Sequence, residues 1–580
     1  MITPDHISTN DSVSTSVDSD QAAHRSGSRL TYVSTKSKLM LISVLITAAI
    51  VYLVLIRPYS FGSYHDDGMY AVLAKSLASG EGYRVISLPQ EPNQTKSPPL
   101  YPILLSLLWR VFPNFPQNVP LLMLLSIAAS IGFLAMSWRY LTAHGYVSLG
   151  QASLVITVAA LNWRTILLST GIYSEMLYAL LSVVALCLAE GPEKKNGRLL
   201  NSAGLGAVMG LAFLARSSAI ALPVAFVFYC VIQRQWRRIL IPVSVCGIFV
   251  GSWLLWGYLH RPPADSVNAG YYESYLSTLG QVFGGTPGRS ISSILLSILR
   301  LIATNAIGLV VVTIPVICLG LSFGTQGLPG FVFGIGVCLF IMTLMLTIAG
   351  FFRFRETGFR MLHAYVAVYI LIHVFWPYAA YDRFLMPLLP WFLLFLVIET
   401  SRLFTAARNK LASGEISKKT GSLVIGAALL LLTGLIAYNI VTGIRMLHDS
   451  AKAKVRFEED QEAIHWLSAN ASASDVVICY RDPTYYLYTG LKTIRSISAR
   501  EGGLTEDSAG SPDEQVRIIF RIIKESSARY FVSTATDYEQ EDQAELKRDA
   551  LRALIEQNPD QFVSVFESAS DGSRIYQVKN

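Results

Sequence analysis

Apolar runs of 18 to 21 residues recur along this chain, at 39–56, 119–138, 239–256, 331–351 and 422–441. A bilayer core is spanned by roughly 20 mostly apolar residues of helix, so each run reads as a membrane span. Shorter apolar runs at 99–112, 149–161 and 173–189 lie between them. Residues 1–37 are polar and Ser-rich, the pattern of a disordered cytoplasmic tail. The first span follows Lys36 and Lys38 with no small-residue cleavage site, so it should remain as an anchor. Near residue 444 the pattern changes. Strand-like runs at 475–480, 529–533, 562–566 and 574–578 alternate with helical patterns at 513–524 and 542–557. That alternation predicts a small α/β domain over 444–580.

Lys and Arg in short loops set the orientation. Four clusters are placed inside: Arg25, Arg29, Lys36 and Lys38; Lys194, Lys195 and Arg198; Arg234, Arg237 and Arg238; and Arg402, Arg408, Lys410, Lys418 and Lys419. Two inside loops must be joined by an even number of spans. The run 99–112, short and flanked by prolines, is therefore read as a surface helix within one external loop, 57–118. Residues 290–323 must supply two short spans, or one span and a surface helix; Arg353, Arg355 and Arg360 favour two, because that puts their loop inside. The fold class that results is an α-helical polytopic membrane protein of about thirteen spans. Its membrane domain covers 38–443, and the C-terminal α/β domain is extracytoplasmic.

Composition agrees with this reading. The 580 residues are 52% hydrophobic and only 15% charged, against about 25% charged in soluble domains. The net charge of +7 belongs to the inside loops. No basic stripe is interleaved with aromatics, so a nucleic-acid partner is not expected. The six cysteines form no C-x-x-C pair and read as small buried residues, not as a disulfide or zinc framework. No internal repeat is visible.

Chemistry is concentrated in the external loop. In 64–80, Tyr70, Leu73, Ala74 and Leu77 recur at helical spacing and Gly80 is a stop signal. Asp66 and Asp67 then stand at the helix N-terminus, where carboxylates cap and are favoured by the helix dipole. Two adjacent carboxylates just outside a span exceed what a cap needs. One of them is suited to accept a proton from an attacking hydroxyl or amine. A divalent cation is a second use for such a pair, but no other feature calls for one, and no cofactor is expected. Further along, prolines 98, 99 and 102 fix an extended entry into the surface helix and hold Lys96 at the level of lipid phosphates. Lys96 serves there either as a snorkelling lysine or as a phosphate contact.

These features occur in a definite order. The acidic pair is followed by Gly80-Glu81-Gly82-Tyr83, and then by Lys96-Ser97-Pro98-Pro99-Leu100-Tyr101-Pro102. Tyr173-Ser174-Glu175-Met176-Leu177-Tyr178 opens a span, Gly210 to Arg216 closes another, and Arg383-Phe384-Leu385-Met386-Pro387 precedes Pro390. Over residues 38–400 the chain resembles the GT-C membrane glycosyltransferases. The likeness is nearest the protein-mannosyltransferase, aminoarabinose-transferase and RgtA-to-RgtD-like branch.

The resemblance implies transfer of a sugar from a polyprenyl-phosphate donor to a lipid, glycan or protein acceptor, with inversion. The setting it implies is the external face of a bacterial inner membrane, among membrane lipids. It implies Asp66 as general base or acceptor-orienting group, with Asp67 in the second acidic position. Lys96, Arg216 and Arg383 would contact the donor phosphate, although both arginines also fit interfacial anchors. Glu175, which also fits a helix cap, would join Tyr70 and Tyr101 on the acceptor or sugar. The rival reading is a transporter or flippase of a lipid-linked or glycan substrate. Transporters place ionisable residues in mid-span, and this chain has almost none there.

Overall fold

The computed structural model describes residues 35–62, 65–143, 145–191, 198–261, 291–320, 330–356, 358–376, 381–413 and 460–496. It also describes 520–523, 525–534, 537, 544–568 and 572–579, with isolated residues between 422 and 458. The first part is a bundle of apolar helices. Among the described residues, five are long and apolar enough to cross a membrane: Val119–Ala143, Trp236–Leu259, Ser292–Leu319, Gly336–Glu356 and Asp382–Ala412. A sixth crossing is made if Leu149–Leu161 and Trp163–Ser169, bent by 63°, act as one span. The bend falls at Asn162, whose side chain caps the second helix at Arg164 N and donates to the Ile317 carbonyl.

Close packing in lipid relies on small residues and on paired polar groups. Gly350 is one such position: a Cβ there would stand 1.9 Å from the Phe395 carbonyl oxygen. Two buried tyrosines of the bundle keep their hydroxyls bonded. Tyr52 donates to Ala160 O at 2.8 Å, and Tyr178 pairs with Tyr365 at 2.7 Å.

Two expectations from charge parity meet the structure differently. The run 99–112 forms a helix, Leu100–Val111. One face buries Tyr101, Leu105 and Trp109, while Ile103, Leu107 and Val111 are exposed. An apolar outer face on a helix this short suits the lipid interface. The described part of the segment 290–323, residues 291–320, is by contrast not two short spans. It is a single helical run, with a π-helical stretch at Ile307–Thr313 between Ile291–Ala306 and Ile314–Leu319. The wider turn lets the chain pass Pro315, which lacks an N–H, without breaking the helix. The count of thirteen spans therefore does not stand on this segment, and the last span, at 421–441, lies outside the described residues.

The C-terminal α/β domain is a five-stranded sheet in the order β2-β1-β3-β5-β4. Its strands are β1 (Val476–Cys479), β2 (Lys492–Arg495), β3 (Tyr530–Ser533), β4 (Phe562–Glu567) and β5 (Arg574–Val578). β1 is parallel to β2 and β3, whereas β5 is antiparallel to β3 and β4. Four of these strands are legible in the alternation of the sequence, but β2 is not. Its run Lys-Thr-Ile-Arg is too short and polar to stand out. The domain docks on the helix His65–Ala78 through the helix Asp482–Thr489. Gly62, with φ of +84°, allows the closest approach: a Cβ there would lie 2.4 Å from Thr484 Oγ1.

Candidate active site

The helix His65–Ala78 begins with the acidic pair, and the two carboxylates part company there. Asp67 is 2% exposed. Its Oδ2 accepts from Gly62 N at 2.9 Å and its Oδ1 from Gly68 N at 2.7 Å. Burial pushes its pKa up, the two amides oppose this, and it settles at about 7. Asp67 thus ties the entering chain to the helix start. Asp66, one residue earlier, keeps half its side chain open and pairs with Arg383 Nη2 at 2.8 Å. Burial would raise its pKa, but Arg383, His65 and Arg216 outweigh this and hold it at about 2.

Arg383 links Asp66 to a fully buried second carboxylate. Its Nε bonds Glu175 Oε1, which also pairs with Arg216 Nη1 at 3.0 Å. Glu175 Oε2 has no hydrogen-bond partner among the described residues. The arginines are steered by aromatic faces. Arg383 Cζ lies 5.2 Å from the Tyr173 ring centroid, and Arg216 Cζ lies 5.3 Å from that of Phe384. Beside them, Asp382 accepts from Arg164 Nε at 2.9 Å and from Arg383 N at 2.7 Å. Behind them, Tyr70 OH pairs with Ser174 Oγ at 2.9 Å, and Tyr101 OH with Ser126 Oγ at 2.8 Å.

Lys96 approaches from the loop between the two loop helices. Gln94 Oε1 accepts from Lys96 N at 2.8 Å, and Gln94 O accepts from Trp256 Nε1 at 2.9 Å, which fixes the loop to the bundle. Burial lowers the Lys96 pKa to about 8, with Asp66 opposing and Arg495 adding to the shift. The C-terminal domain completes the site. His65 Nε2–H donates to the fully buried Asp482 Oδ1 at 3.0 Å. Burial and Arg495 lower the His65 pKa, against Asp482 and Asp66, so the ring is neutral at neutral pH.

Of the residues singled out from sequence, Asp66, Glu175, Arg216 and Arg383 come together in one charged network. Lys96 lies within electrostatic reach of Asp66. Asp67 supports the network from beneath, and Tyr70 and Tyr101 back it as buried hydrogen-bonded groups, Tyr101 being fully buried. The sequence reading missed His65, Asp382, Arg164, Asp482 and Arg495. Asp382 had a signal, since it adjoins Arg383. The pairing of His65 with Asp482, 417 residues apart, had none. Among the described residues, no three or more His, Cys, Asp or Glu side chains group as a metal site.

No family model matches the chain, and no curated protein matches its sequence. Solved structures do match its architecture. ArnT from Cupriavidus metallidurans bound to undecaprenyl phosphate aligns with a TM-score of 0.52 at 14% identity, over 94% of this chain and 98% of that one. The chain has the GT-C fold. ArnT in the apo state aligns with a TM-score of 0.51 at 14% identity, over 93% and 98% of the two chains. The Archaeoglobus fulgidus oligosaccharyltransferase tethered to an acceptor peptide containing the NVT sequon aligns with a TM-score of 0.50 at 13% identity. That match covers 93% of this chain and 74% of the oligosaccharyltransferase. These GT-C structures and the first-loop motifs of the sequence agree on the architecture.

Proposed function

We propose that this protein is an integral membrane glycosyltransferase that moves a sugar from a polyprenyl-phosphate donor to an acceptor on the external face. The observation that carries the reading is the network Asp66–Arg383–Glu175–Arg216 at a helix N-terminus of a GT-C fold. One matched structure holds undecaprenyl phosphate, the lipid class inferred here as the carrier.

In this mechanism the acceptor's O–H or N–H binds Asp66, held in place by Arg383. The acceptor oxygen or nitrogen attacks the anomeric carbon as its bond to the lipid phosphate breaks, inverting the configuration. The bonding electrons leave with the lipid phosphate, and the proton passes to Asp66. With a pKa near 2, Asp66 is a weak base. It therefore orients the acceptor first and receives the proton late, once the new bond has acidified it. Glu175 holds Arg216 and Arg383 in place, and Lys96 faces the departing phosphate. Asp67 aims Asp66 by fixing the helix start.

Purified protein in proteoliposomes should transfer labelled sugar from a polyprenyl-phosphate donor to an acceptor fraction. Labelled donor that crosses the bilayer intact, with no transfer, would instead mark a flippase. The pH profile is a second check. The transfer kcat/KM should fall as pH rises through about 8, because Lys96 then loses its proton and its hold on the phosphate. Lys96→Arg should move that limb to higher pH, since the guanidinium stays charged. A limb that ignores the substitution would show that Lys96 is not the titrating group.

A further inference from the structure

β1 runs parallel to β2 on one side and to β3 on the other, so the order of the parallel strands reverses at β1. In open α/β sheets, ligands are held outside the carboxyl ends of the strands at such a reversal. Asp482 stands in that place, at the start of the helix Asp482–Thr489 that follows β1. It is fully buried. Thr493 of β2 fixes its backbone by donating a hydroxyl to Asp482 O at 2.8 Å. What the carboxylate meets is a side chain of the membrane domain. Asp482 Oδ1 accepts from His65 Nε2–H at 3.0 Å.

The contact extends over three consecutive residues. Asp482 holds His65, a Cβ on Gly68 would stand 3.0 Å from Pro483 Cβ, and a Cβ on Gly62 would overlap Thr484. Pro483, in the first helical turn, stiffens the backbone that presents all three. A second grip on the segment 62–68 is Asp67, which accepts from Gly62 N and Gly68 N. Asp66 is carried between these grips, with half of its side chain open and Oδ2 2.8 Å from Arg383 Nη2. The first turn of a helix lacks intrahelical partners for its amides and frays readily. His65 and Asp66 are the first two residues of their helix. A carboxylate so placed keeps its direction only while that turn is held.

We propose that Asp482 is a positioning residue for sugar transfer: through His65 it holds the helix start that carries Asp66, so the C-terminal domain aims the catalytic carboxylate. This deepens the glycosyltransferase reading and rests on it. The imidazole serves as the donor of one hydrogen bond, from Nε2, and takes no proton from the substrate. A slight pivot of the first turn would carry Asp66 off its line to the acceptor, and a misplacement of about 1 Å lowers a rate by about 100-fold. Lys96 faces the donor phosphate from another loop, so the pair governs the rate of transfer and not the affinity for the lipid.

The test uses the full-length protein in proteoliposomes, a panel of undecaprenyl-phosphate hexoses and pentoses labelled in the sugar, and a membrane extract as acceptor. Single-turnover rate, undecaprenyl phosphate affinity and thermal midpoint are measured for each variant. His65→Asn carries an amide too short to reach Asp482. It should lower the rate about 10- to 100-fold, with affinity kept and only a small drop in midpoint. His65→Gln, whose amide nitrogen extends to the position of Nε2, should recover most of that loss. Adding Asp482→Ala to His65→Asn should lower the rate little further, because both act through one hydrogen bond. A His65→Asn rate within twofold of wild type would overturn the proposal while leaving the glycosyltransferase reading intact. Affinity and midpoint falling in step with the rate would overturn it by making the pair a purely structural tie. So would His65→Gln as slow as His65→Asn, or a double variant that loses the full product of the single effects, since the hydrogen bond would then not be what matters. Wild-type protein that transfers none of the sugars would sink the glycosyltransferase reading, and this proposal with it.

Discussion

Asp66→Asn should cut sugar transfer by about 10³-fold, within the range that one positioned acid or base supplies. Asn keeps the shape of the side chain but cannot take the acceptor's proton. The substitution also loses the ion pair with Arg383, so the arginine is left facing Glu175 alone. Half of the Asp66 side chain is open, so the fold should tolerate the change. The measurement is the single-turnover rate in proteoliposomes, with undecaprenyl phosphate binding followed in parallel. A large loss of rate with lipid binding retained is the expected pattern. Transfer within a few-fold of wild type would remove Asp66 from the chemistry. The same change at Asp67 touches different contacts, namely the amides of Gly62 and Gly68, so the two aspartates should fail in different ways.

Glu175→Gln should have the largest effect on stability. Glu175 is fully buried and faces both Arg216 and Arg383. Removing one partner of a buried ion pair leaves an uncompensated charge, and costs about 3–5 kcal/mol. Here two guanidinium groups would be left to repel each other across a neutral amide. A marked drop in the thermal midpoint should accompany loss of transfer, and Glu175→Asp should recover part of both. If Glu175→Gln melted with the wild type, the two arginines would have to be balanced elsewhere, and the network would not be the structural centre of the site.

The part of the site that could be read from sequence was the part written in local pattern. The helix His65–Ala78, its carboxylates at the N-terminus and the short helix Leu100–Val111 all follow from spacing within about twenty residues. Lys96 followed from the prolines around it. The opposite case is β2, which is polar and only four residues long, yet it docks the C-terminal domain on the Lys96 loop. The packed chain brings Asp482 against His65. The segment 290–323 shows the limit of charge counting. Parity asks for an even number of crossings, whereas a π-helical turn around Pro315 is a matter of backbone geometry that loop charges do not record.

By itself, the sequence determined that this is a membrane protein with a separate C-terminal α/β domain, and that an acidic pair opens a helix. Those properties depend on the apolar content and period of short stretches, and neighbouring residues suffice to set them. Only the tertiary structure decided how the acidic pair divides its work. Asp66 faces Arg383 while Asp67 is spent on two backbone amides, although adjacent carboxylates look alike in sequence. The difference is made by partners drawn from distant parts of the chain. Arg383 lies 208 residues from the Glu175 it shares with Arg216, and no local pattern carries the free energy of bringing such charges together.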